Sequence, residues 1–147
     1  MTTNCAGIVA TANLPLNAYN EFVSWTPTMS GSTTAGTGTY TLQFGRYTKI
    51  GAMVFINCNI SWTAHTGTGN LLLSNLPFTV RNTANYTPLA TVNFININLP
   101  AGTQSALGQF TLNTTNMSLF SYRDVNTNSQ VAMDTSGQIQ VSGFYIT

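Results

Sequence analysis

GTGTYTLQFGRYTKIGAMVFINCNISWTAHTGTGNLLLSNLPF, residues Gly36–Phe78, is the stretch that decides the fold class. Within it Val54, Ile56, Cys58, Ile60 and Trp62 alternate with Met53, Phe55, Asn57, Asn59 and Ser61. A period of two marks a β-strand with one apolar face and one mixed face. Tyr40, Leu42 and Phe44 repeat the pattern one strand earlier, so all three are expected in the core. Gly51 turns the chain between the two runs. The Gly67–Gly69 segment ends the second run, and Leu71–Ser74 starts a third. The stretch contains no nucleophile–base pair, no cluster of metal ligands and no phosphate loop.

The same signals recur outward along the chain. Phe22–Thr26, Leu89–Leu99, Gly108–Asn113, Met117–Val125 and Gln138–Ile146 have strand character, and turns and loops of Gly, Pro, Thr and Asn separate them. Met29–Gly38 is expected to be a polar loop. No window carries a sustained helical period with caps. A chain of 147 residues forms one domain most economically. The expected fold is therefore all-β: an antiparallel, jelly-roll-like β-sandwich of about eight strands over residues 21–147, preceded by an N-terminal arm or leading strand over residues 1–20.

Charge is the unusual feature. Asp, Glu, Lys and Arg make up 5% of the chain, and the formal net charge is +1. An average soluble domain carries about 25% charged residues. With so little repulsion nothing opposes association with copies of itself or with another protein face, so an oligomer or a docked subunit is expected. Nucleic acid is not an expected partner, because Arg46, Lys49, Arg81 and Arg123 are the only basic side chains besides His65. No apolar run is long enough to span a bilayer as a helix. Met1–Tyr19 lacks the charged start and apolar block of a signal peptide, which implies synthesis in a cytoplasm.

Candidate chemistry is sparse. His65 lies in WTAHTGTGN and is expected to be a polar turn residue. Glu21, Asp124 and Asp134 sit in three separate segments, which gives neither a glycosidase pair nor a calcium loop. No catalytic residue, metal ligand or cofactor is expected. Cys58 falls in the apolar register, so a buried free thiol is expected there, with a Cys5–Cys58 bridge as the alternative. Trp62 is expected in the core. Tyr19, Trp25 and Tyr86 lie in less regular surroundings and are the candidates for an interaction surface.

TAGTGTYTLQFGRYTKIGAMVF (Thr34–Phe55) and WTAHTGTGNLLLSNLPF (Trp62–Phe78) resemble modules of tailed-bacteriophage virion proteins, above all tail-fibre and other surface structural proteins. The resemblance covers about a third of the chain. It implies a β-rich, trimeric, non-catalytic protein of the virion surface, with the major capsid protein or another virion protein as partner. Only a short arm precedes the module, and no heptads or β-helix repeats do. This departs from the tail-fibre pattern, and a capsid-decorating (cement) protein, trimeric and with an arm that reaches a neighbour, is therefore the expectation. A tail-fibre or head-fibre module that recognises a host glycan or protein is the alternative.

Overall fold

A computed structural model describes residues 19–123 and 128–147, with side chains described from Phe22 onward. Ten strands follow one another: β1 (Tyr19–Trp25), β2 (Thr28–Gly31), β3 (Gly38–Ile50), β4 (Met53–His65), β5 (Leu71–Ser74), β6 (Leu89–Ile95), β7 (Thr103–Phe110), β8 (Met117–Arg123), β9 (Asn128–Gln130) and β10 (Gly137–Ile146). All pairings are antiparallel, as the alternation of the sequence requires. The arm expected before the domain falls outside the described residues up to residue 18. Tyr19 and Asn20, expected to belong to it, are part of β1.

The strands form one continuous sheet in the order β1-β3-β4-β10-β6-β7-β8-β5-β2, with β9 beside β8. In place of the expected sandwich of about eight strands there is one ten-stranded sheet. The difference in number comes from short pieces. β2 lies at the start of the Met29–Gly38 segment, where Ser and Gly suggested a loop. β9 has three residues in a polar stretch. Both are too short for alternation to show.

The sheet curls until its last strand returns to its beginning. β2 lies against β3 without joining its ladder, and side chains make the connection. The Tyr40 hydroxyl accepts from Met29 N at 2.8 Å and donates to Met29 O at 3.2 Å. Gln43 Nε2 donates to Pro27 O at 2.9 Å. One core fills the curl. Val54, Ile56, Cys58, Ile60 and Trp62 of β4 meet Leu71, Leu73, Phe110, Met117, Leu119, Ile139, Val141 and Tyr145. Phe110 and Tyr145 stack with centroids 4.8 Å apart. The Tyr145 hydroxyl, fully enclosed, is satisfied by Phe78 O at 3.0 Å and Phe78 N at 3.2 Å.

β4 keeps the face its sequence assigns, with the Val54–Trp62 set buried. β3 does not. Tyr40 pairs with Trp62, but Leu42 pairs with Ser61, so Thr41 is an extra residue and the register shifts there. A one-residue slip moves all following side chains to the opposite face. Tyr40 packs on the core as expected, whereas Leu42 and Phe44 stand on the outer surface and Gly45 and Tyr47 turn inward. β4 carries the matching irregularity. Thr39 pairs with Ala64 and Tyr40 with Trp62, which leaves Thr63 extra and turns His65 into the interior. At the other end of the hairpin Ile50 pairs with Met53 across a two-residue turn. Gly51 occupies its first position with φ of 58°, where glycine is favoured.

Candidate interaction face

The register of β3, β4, β10 and β6 determines what their outer surface presents. Rows run across the strands: Phe44 beside Asn59, Gln140 and Asn93; Arg46 beside Asn57, Ser142 and Thr91; Thr48 beside Phe55 and Phe144; Ile50 beside Met53 and Ile146. Two textures result. Toward the Gly51 turn the face is aromatic, with Phe55 and Phe144 directly paired and their rings 5.8 Å apart. Toward the other end it is a ladder of amides. Gln138 Nε2 donates to Asn59 Oδ1 at 2.8 Å, and Asn93 Nδ2 donates to Gln140 Oε1 at 3.1 Å.

Arg46 sits where the textures meet. Its guanidinium carbon lies 5.7 Å from the Phe22 ring centroid and 5.0 Å from that of Phe44. Its Nη1 donates to Ser24 Oγ and to Gly45 O. Two shallow hollows, of about 350 Å³ and about 260 Å³, adjoin along this surface and share Asn57 and Ser142 as walls.

Phe22 is the most unusual residue of the face. It lies at the β1 irregularity between Asn20 and Val23, has φ of 54° and is 74% exposed. The other non-glycine residues with positive φ among those described are Asn75, Asn85, Asn96 and Asn113, a type that tolerates this region. A side chain such as Phe costs about 1–2 kcal/mol there. Burial does not compensate, since the ring is largely in solvent.

Of the residues singled out in the sequence, Trp25 and Tyr86 are half-buried and pack on the core. Trp25 rests on Gly45, where a Cβ would come within 2.7 Å of the indole Nε1. The Tyr86 hydroxyl accepts from Ile146 N at 2.9 Å. The side chain of Tyr19 lies outside the described set, as do those of Glu21 and Asp124, and Cys5 lies outside it entirely. The Phe55 and Phe144 signal was present in the sequence, because both share a strand face with Asn, Gln or Ser. Phe22 and Phe44 depend on bulges and carry no such signal.

His65 is a structural residue rather than an exposed turn residue. Gly67 N donates to its Nδ1 at 2.9 Å, so the proton is on Nε2, which donates to Met29 O at 3.0 Å. The ring ties the end of β4 to β2. Asp134 Oδ2 accepts from Asn98 N at 3.0 Å. Burial pushes the Cys58 thiol up to about 12, against a smaller opposing effect of a backbone hydrogen bond with Val141. Burial likewise raises the Tyr145 phenol above its ordinary range. Among the described residues no three of His, Cys, Asp and Glu come together as a metal site, and no helix is long and apolar enough to cross a membrane.

No family model and no curated protein matches this chain. Its fold is similar to part of the Dettilon tailspike protein, with a TM-score of 0.63 and 16% sequence identity. The likeness covers 85% of this chain and 23% of the tailspike, so the chain spans about a quarter of that protein's length. At this identity the likeness is one of fold.

Proposed function

We propose that the protein is a non-enzymatic structural component of a bacteriophage virion surface. The observation that carries this reading is the outer face of β3, β4 and β10. Apart from Arg46 it is uncharged, rich in amides and aromatic rings, and suited to close packing against protein rather than to chemistry. The virion setting is supported by the sequence resemblance of Thr34–Phe55 and Trp62–Phe78 and by the fold shared with a tailspike segment. Within the virion the proposed role is capsid decoration: a trimer that sits on the shell and bridges neighbouring capsid subunits. Low charge favours this role, since association across subunit boundaries then depends on shape and apolar contact rather than on steering.

The tailspike likeness favours a second reading, a module of a tail appendage that contacts the host surface. Quantitative mass spectrometry of purified particles separates the two. A copy number in the hundreds per virion supports decoration, and a few dozen or fewer supports the appendage. Absence from the particle overturns both. Labelled antibodies imaged on the particle then locate the protein on head or tail.

A further inference from the structure

The aromatic end of the outer face is built as a contact, and we propose that its occupant is a second copy of this chain. This deepens the proposed role by naming the face through which copies of the chain would meet, and it rests on the self-association in that reading. The first argument is area. Phe22, Phe44, Ile50, Met53, Phe55 and Phe144 are neighbours across β1, β3, β4 and β10, and each is among the exposed large apolar residues. At the exposures they show, with a whole aromatic side chain burying about 150–250 Å², the six present roughly 500 Å² of apolar surface. A standard interface buries about 800 Å² per partner, a little over half of it apolar. The cluster alone therefore supplies the apolar share of one side of a stable contact.

The second argument is Phe22. A bulge in β1 holds this ring in a conformation that Phe avoids, and 74% of the residue is in solvent. Strain kept at a largely exposed aromatic residue, offset within the single chain only in part by its contact with the Arg46 guanidinium, points to a partner outside the chain. The third argument is charge. Arg46 is the cation of this surface, and its guanidinium is already engaged with the Phe22 and Phe44 rings, Ser24 Oγ and Gly45 O. It acts as part of the aromatic floor and does not offer a free charge to an anionic ligand. With a net charge of +1 there is little repulsion to keep two copies apart. A small ligand fits less well, because the hollows lie open on the strand surface and do not enclose a volume.

The test is the mass of the full chain in solution, read by light scattering on a sizing column and by sedimentation velocity over a concentration series. The wild-type chain is expected to assemble in the micromolar range. Phe144→Lys places a cation in the middle of the contact and is expected to weaken assembly by about tenfold or more. Phe22→Lys is expected to do the same, and because its ring lies outside the core it covers the case in which Phe144→Lys does not fold. Far-UV circular dichroism checks the fold of each variant. Thr111→Lys, at an exposed position after β7, is expected to leave assembly unchanged. A wild-type chain that stays monomeric through high micromolar concentrations overturns the proposal. So does assembly that survives both Phe variants, or that Thr111→Lys disrupts equally.

Discussion

β1, β3, β4, β6 and β10 carry all the exposed large apolar side chains among the described residues, and β2, β5, β7, β8 and β9 carry none. Both groups line the same core and belong to one sheet, so burial on the inside does not explain the contrast. The difference lies in the outward positions. On the second group small hydroxyls meet across strands, Ser30 Oγ with Ser74 Oγ at 2.6 Å and Thr111 Oγ1 with Ser118 Oγ at 3.4 Å, and the larger outward side chains, Leu72, Leu107 and Phe120, are only partly exposed. On the first group the outward rows are aromatic rings and long amides. An apolar patch of this kind, rimmed by polar groups, is what a partner-facing surface looks like. One half of the sheet therefore completes the fold, and the other half completes the fold and presents a face.

The contrast rests on the bulge at Thr41, which leaves Tyr40 on the core and sends Phe44 outward and its neighbour Gly45 inward. A cation at the inward position should have the largest effect. In Gly45→Lys the Cβ alone would come within 2.6 Å of Trp25 O, and an unpaired buried charge costs several kcal/mol, comparable to the whole stability of a domain this size. The variant is expected to fail to fold, as read by loss of the cooperative thermal transition, while Phe44→Lys keeps it. The reverse outcome would mean that the outer face is not set by this register.

The next largest effect belongs to the shared interior. Trp62 is 2% exposed, and its Nε1 donates to Asp134 O at 3.1 Å. Trp62→Ala is expected to cost about 3–5 kcal/mol in urea unfolding. Phe144→Ala, at half exposure on the opposite face, is expected to cost no more than about 1 kcal/mol when the protein is dilute enough to be monomeric. Similar costs at the two sites would erase the distinction between inner and outer face.

These two tests also show what the sequence made legible. The alternation over Val54–Trp62 identifies a strand and its buried face correctly, because β4 keeps its register along that run. It misassigns Leu42 and Phe44, because a bulge residue such as Thr41 is an ordinary β-branched residue with no local mark. His65 is misread for the same reason: Thr63 is extra, and the ring that looks like part of a polar turn becomes an interior link. Tyr19, Trp25 and Tyr86 stand out in the sequence as surface candidates because their surroundings lack a regular alternation. In the folded chain Tyr40 Oη, Tyr86 Oη and Tyr145 Oη bond backbone atoms, and the open face is made of Phe.

Alkaline titration probes the interior by another route. The Cys58 thiol ordinarily titrates near 9.0 and is pushed up to about 12 in the folded chain, and the Tyr145 phenol is raised from its ordinary 10.0. Above pH 9 the unfolded chain releases the thiol proton while the folded chain keeps it. Stability is therefore fully present below pH 9 and falls as pH rises toward the folded value. Each such group contributes about 1.4 kcal/mol per pH unit once its unfolded form is ionised. Cys58→Ala removes one contribution. Its unfolding free energy is expected to fall less steeply than wild type between about pH 9 and about pH 10.5. Equal slopes would mean that the thiol is not shielded.

The smallest expected effect has the opposite sign and bears on the face most directly. Phe22→Asn puts into the left-handed position a residue type that tolerates it, which relieves about 1–2 kcal/mol of strain. It also removes the contact with the Arg46 guanidinium, worth about 0.5–1 kcal/mol at an exposed site. The single chain should thus be unchanged or more stable by up to about 1.5 kcal/mol, while assembly of copies weakens. In Trp62→Ala, fold and assembly are lost together. In Phe22→Asn they should separate, because within one chain the strain of the ring outweighs or cancels its contact with Arg46, and its main use is between chains. A stability loss above about 1 kcal/mol in the monomer would instead make Phe22 part of what holds β1 to β3, and the bulge would then be explained without a partner.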